Sequence, residues 1–224
     1  MGGMNMDDLT IDEARELVSN KSIWPLMRDF LWDFTPQVHP SWLEGMEGSS
    51  VISGLASSVR VRRYVLDSLG VEPCFHTFPK DDASRLLLLD GATLEAIARW
   101  LGAIACAGAL RSVTSGAEVR ALKAALPGVY PDVFGYMAYF SGMNLAARDS
   151  KGAEEVVAAG FAMLYSTFAE LPSSLVSRLR FKFPKTLRDL CVPCGEEEDV
   201  QASLKVVNKL LRLKFPEAYA ICCS

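Results

Sequence analysis

Ser115 and Glu118 have the spacing of a capping box, in which each side chain satisfies a backbone N–H at the start of a helix, and Pro127-Gly128 follows at the point where that helix must stop. Start and stop signals this close together leave room for a short helix and little else. Val119, Leu122 and Leu126 fill its apolar face. Pro131 then opens a further helix, in which Val133, Phe134, Met137 and Phe140 fall near helical spacing and Tyr136 and Tyr139 lie on flanking faces. The stretch Val113 to Phe140 therefore reads as a packing element rather than an active site.

The same punctuation recurs along the chain. Thr10 and Glu13 make a second capping box, which places a flexible terminus over residues 1–9 and a short helix after it. Trp24, Leu26, Met27, Phe30, Leu31, Trp32 and Phe34 predict a buried helix ending before Pro36, and Pro40-Ser41-Trp42 opens a turn. One helix is expected over Ser50–Leu69, with Leu55, Val59, Arg62, Leu66 and Leu69 along one side. Gly70 to Asp82 is the best internal loop and a candidate hinge. Leu86 to Leu89 fits a buried strand or the first turns of a helix. Ala92–Leu110 is clearly helical, and its small residues Gly102, Ala103, Ala107 and Gly108 would admit a close neighbour. Further helices are expected from about Lys151 to Leu171, from Ser173, and from Val200 onward behind the acidic run Glu196–Asp199. Alternating strand patterns are nearly absent. The expectation is an all-α fold, a multi-helix single domain over residues 10–224 with a hinge near 70–82.

With 224 residues, half of them apolar, such a chain can bury a core without metal or disulfide staples. Its formal charge of −4 gives no global reason to expect nucleic acid. The longest apolar region, Leu86–Leu110, is interrupted by Asp90, Glu95 and Arg99 and leaves about eleven uncharged residues, short of the roughly 20 that a spanning helix needs. No membrane insertion is expected. Met1–Asp8 lacks the basic start and apolar run of an export signal, so the expected location is the cytoplasm, where the six cysteines would be reduced.

Few residues offer chemistry. Cys191 and Cys194 have the spacing of a redox pair before a helix, but no βαβ pattern leads into them and the acidic run downstream opposes a thiolate. Adding Cys222 and Cys223 would give a zinc set, with two adjacent cysteines awkwardly asked to fill two vertices of one tetrahedron. His39 and His76 stand apart from any triad partner. No P-loop, GxGxxG, HExxH or GxSxG pattern occurs. No cofactor, metal or catalytic residue is expected. Arg178, Arg180, Lys182, Lys185 and Arg188, interleaved with Leu179, Phe181 and Phe183, form the candidate partner interface. The pattern fits an acidic protein surface, and it equally fits a helix end whose cations offset the dipole.

The run LLLLDGATLEAIARWLGAIACAGALRSV, the following VRALKAALPGVYPDVFGYMAYF, the basic-apolar LVSRLRFKFPK and the closing VVNKLLRLKFPEAYAIC resemble the SctK family of type III secretion systems. The resemblance spans Leu86 to the C-terminus and rests on helix-packing residues; the tryptophan-rich first third fits loosely. It implies a non-enzymatic adaptor of the cytoplasmic sorting platform, bridging the inner-membrane ring protein SctD and the pod protein SctQ. It carries no catalytic residue to transfer. A cytoplasmic thiol oxidoreductase working through Cys191 and Cys194 is the alternative.

Overall fold

The computed structural model describes residues 23–54, 58–71, 82–143, 147–191 and 200–222. Within them the secondary structure is helical throughout, with no strand, as the punctuation of the sequence requires. The helices gather into two compact units, one drawn from the described residues of Met1–Asp90 and Pro172–Lys185, the other from Gly91–Leu171 and Thr186–Ser224. The capping box at Thr10 and Glu13, most of the expected hinge (72–81), the acidic run, Cys194, Cys223 and His76 lie outside the described residues.

The first unit contains α1 (Trp24–Trp32), α2 (Pro40–Leu43), α3 (Ser49–Gly54), α4 (Val59–Leu69) and α5 (Asp82–Leu86). The single helix expected over Ser50–Leu69 is thus two helices. Ser58 is extended at the start of α4, and Val59, expected on the buried side, is exposed; Val65 is the side chain this helix buries. Gly70 ends α4 at φ 66°, a left-handed position in which its N–H reaches Asp67 O and the N–H of Val71 reaches Leu66 O at 2.8 Å. The leucine run resolves as the last residue of α5 and the turn that closes it. All of Leu86 to Leu89 are buried.

The second unit is built on α6 (Gly91–Ala105), followed by α7 (Ala107–Leu110), α8 (Gly116–Ala125), α9 (Val133–Phe140) and α10 (Ala153–Ser166). Its core gathers Leu94, Ile97, Leu101, Phe161 and Leu164, each about 1.5–3 kcal/mol better buried than exposed. The helix expected to run unbroken to Leu110 breaks at Cys106, whose backbone leaves the helical region. α6 and α10 cross through Gly102 and Gly160. A Cβ on Gly102 would lie 3.0 Å from Gly160 N and collide with Val156 O, so the backbones themselves are in contact. Ser115 does precede α8, but its hydroxyl makes no capping hydrogen bond; the box supplies the boundary and Glu118 the first-turn charge.

The unit closes with α12 (Val200–Lys214), which lies against α6 and α10, and α13 (Pro216–Cys222), which follows it after Phe215. Val206, Val207, Leu210 and Leu211 form the buried stripe of α12. Arg99 donates to Ala125 O at 2.7 Å, satisfying a carbonyl at the end of α8, and pairs with Glu95 one turn behind it. No helix among the described residues is long and apolar enough to cross a membrane.

Candidate functional site

The basic segment was the sequence's candidate interface, and its side chains divide. It begins in α11 (Ser173–Leu179) and continues through a 3-10 turn at Arg180–Lys182. Leu175, Leu179, Phe181 and Phe183 are buried in the first unit. Arg178 and Lys182 follow them inward, each only 2% exposed. These two therefore leave the proposed interface. Arg180, Lys185 and Arg188 remain exposed.

The inward turn has a specific cause. Arg178 Nη1 donates to Phe30 O at 2.6 Å and to Leu31 O at 2.8 Å, two carbonyls in the last turn of α1. Lys182 Nζ donates to Leu87 O at 2.5 Å and Leu89 O at 2.7 Å, at the turn that closes α5. Both cations also face the ring of Phe30, Arg178 at 5.9 Å and Lys182 at 5.0 Å from its centroid. α11 and the 3-10 turn after it thus cap the C-terminal ends of two other helices with buried cations, which the carbonyl ends favour. The cations offset helix dipoles, as one of the two readings of the pattern had it, but those of other helices.

Burial pushes the Lys182 ammonium down to about 7, with the nearby Asp90 charge acting in the opposite direction. The same segment is sewn to the N-terminal turns by neutral bonds. Trp42 Nε1 donates to Phe183 O at 2.8 Å, the Trp42 ring stands edge-on to Phe181 at 4.9 Å, and the N–H of His39 reaches Phe181 O at 2.8 Å. His39 itself is a helix cap: its Nδ1 accepts from the N–H of Ser41 at 3.2 Å at the start of α2.

Of the thiol candidates, Cys191 and Cys222 are described and neither is in a disulfide. Cys191 is half-buried and its Sγ lies 3.3 Å from Leu187 O, while Cys222 is buried in α13. No group of three or more His, Cys, Asp or Glu side chains able to hold a metal occurs among the described residues.

Two exposed surfaces were only partly legible. On α1, Trp24 and Trp32 are 39% and 40% exposed and meet edge-on at 5.8 Å, where a buried helix was expected. Arg28 sits between them, one turn from each, exposed and paired with Asp29 at 2.8 Å. Of the arginines on α4, Arg60 is exposed, Arg62 pairs with Asp33, and Arg63 lies 3.9 Å from Asp67. No protein-family model, curated protein or solved structure matches this chain.

Proposed function

We propose that this chain is a non-catalytic helical adaptor of the cytoplasmic sorting platform of a bacterial type III secretion system, linking the inner-membrane ring protein SctD to the pod protein SctQ. The protein would work in the cytoplasm, peripheral to the inner membrane. Two lines support the reading. The first is the resemblance of the segments from Leu86 onward to the SctK family. The second, which carries it physically, is the pair of half-exposed tryptophans on α1 with an arginine between them, the residue types that dominate protein–protein hot spots. The candidate basic interface contracts to Arg180 and Lys185 in the first unit, since Arg178 and Lys182 serve the fold, while Arg188 is an exposed cation of the second unit.

A tagged chain recovered from a bacterium carrying its native operon is expected to bring down the ring protein and the pod protein together, identified by mass spectrometry. Recovery of neither, while the platform stays intact in control pull-downs, overturns the reading. Trp24→Ala combined with Trp32→Ala is expected to lower recovery of one partner at least tenfold, since a central tryptophan at an interface is worth about 2 kcal/mol or more, and to leave the circular dichroism spectrum unchanged. Loss of neither partner would remove α1 from the interface. Cys191→Ser is expected to leave secretion intact; abolished secretion with unchanged partner recovery would favour the thiol oxidoreductase instead.

A further inference from the structure

Helix α9, VFGYMAYF, carries no charged residue, and no charge follows it in the chain until Arg148. A helix of that composition ordinarily lies in a core. Here only Val133 and Phe140 are buried. Gly135 and Ala138 are exposed and Tyr139 is 52% exposed, with Phe134 half-buried on one side of them and Tyr136 on the other, so the outward side of the helix is uncharged and edged by aromatic rings.

Two cations hold the edges of that face. The guanidinium of Arg111 lies 5.8 Å from the centroid of the Phe134 ring, and Lys214 Nζ lies 3.9 Å from the centroid of the Tyr136 ring and 4.6 Å from that of Trp100. Among the described residues no carboxylate pairs with either cation. Ring stacking fixes both heads in place while leaving their charge without a counter-ion, so the surface is an aromatic strip with a positive rim.

We infer that this strip is a docking site for an amphipathic helix of a partner protein, one whose apolar stripe is flanked by Asp or Glu. Aromatic side chains would enter the apolar stripe at helical spacing, and carboxylates on either side would meet Arg111 and Lys214. The charges select the occupant. A second copy packed isologously would set the same positive rim near itself, which is unfavourable. A membrane surface would call for cations that reach outward to headgroups, whereas these two lie down over ring faces. The inference does not depend on the secretion-system reading, because it specifies the chemistry of the docked segment and not the identity of the protein that carries it.

The test places the photo-crosslinking residue p-benzoylphenylalanine at position 139 of the full chain in the native bacterium, with the crosslinked peptide sequenced after irradiation. The expected product joins position 139 to a segment of another protein with apolar residues three and four apart and carboxylates flanking them. Arg111→Glu in the same background is expected to lower its yield at least fivefold, while Arg120→Glu, an exposed cation on α8, leaves it unchanged. A crosslink to this chain, to lipid, or to a segment without carboxylates overturns the inference, as does no crosslink at all or a yield indifferent to Arg111→Glu. The identity of the captured protein bears separately on the adaptor reading: an acidic helix from a protein outside the secretion platform supports the surface and counts against that reading.

Discussion

Gly160→Ala is expected to cost the second unit about 3 kcal/mol or more, a large share of the roughly 5–15 kcal/mol that holds a typical domain together. The added methyl group would collide with Ala98 O and come to 2.8 Å from Gly102 N. Both obstacles are backbone, so no rotamer change relieves them, and α6 and α10 must separate. Separation would open the core around Ile97, Leu101 and Phe161, which adds a packing loss to the collision. Gly102→Ala meets Val156 O from the other side and should behave alike. Gly108→Ala is the control: it is the one exposed position of α7, with nothing within 4 Å of its would-be Cβ, and should be neutral or up to about 1 kcal/mol stabilising. Urea unfolding followed by circular dichroism distinguishes them. Midpoints for Gly160→Ala and Gly108→Ala that agree would mean that the two helices do not cross at their glycines.

This crossing also shows what the sequence made legible. The small residues of Ala92–Leu110 announced a close neighbour, and the glycine that meets them, Gly160, stands in the middle of an apolar helix where its cost in propensity requires a packing reason. What the pattern could not tell was which of the small residues lies at the contact; Gly102 does and Gly108 does not. Helix boundaries set by Pro and Gly were legible for a local reason, since these residues act through their own φ and missing N–H. Gly70 and Gly128 both take positive φ where the elements end. α3 ends at Gly54, and because a single glycine is tolerated inside a helical pattern that boundary was not legible.

The basic segment divides for a different reason. Its charges alone do not tell which cations turn inward, but the period does. Leu175, Arg178, Leu179 and Lys182 recur at i, i+3, i+4 and i+7, the stripe that a helix turns to the core, and both cations lie on it. The exposed positions, Ser174, Ser177 and Arg180, fall on the opposite side. The acceptors that make this inward turn tolerable are backbone carbonyls some 90 to 150 residues away in the chain, and no local pattern reveals a backbone acceptor. For Trp24 and Trp32, hydrophobicity was read as burial. Both are apolar, yet the buried face of α1 belongs to Phe30 and Leu31, and positions 24, 28 and 32 share another.

Removing the two buried cations should give distinguishable results. Arg178→Ala removes both of its buried hydrogen bonds to the carbonyls of Phe30 and Leu31 and opens a void beneath the Phe30 ring, an expected loss of about 3 kcal/mol. Lys182→Met keeps most of the volume and removes a titrating group, so its signature is in pH. Below about pH 7 Lys182 is protonated in the folded and the unfolded chain, and it contributes no pH dependence. Above that value the folded chain releases the proton while the unfolded chain holds it up to the ordinary lysine range. The unfolded state then binds more protons, and the stability of the wild-type chain rises with pH, by at most about 1.4 kcal/mol per unit from this group. The sense is opposite to that of a lysine stabilised by an ion pair, because burial outweighs Asp90 here. Three of the four tryptophans, Trp24, Trp32 and Trp42, lie in the unit that contains Lys182, so urea unfolding followed by tryptophan fluorescence reports on it directly. The stability difference between wild type and Lys182→Met should grow in favour of the wild type from about pH 7 to about pH 9. A difference that stays constant over that range would mean that the buried ammonium keeps its proton, and that its two carbonyls and the Phe30 ring suffice to hold a full charge inside the fold.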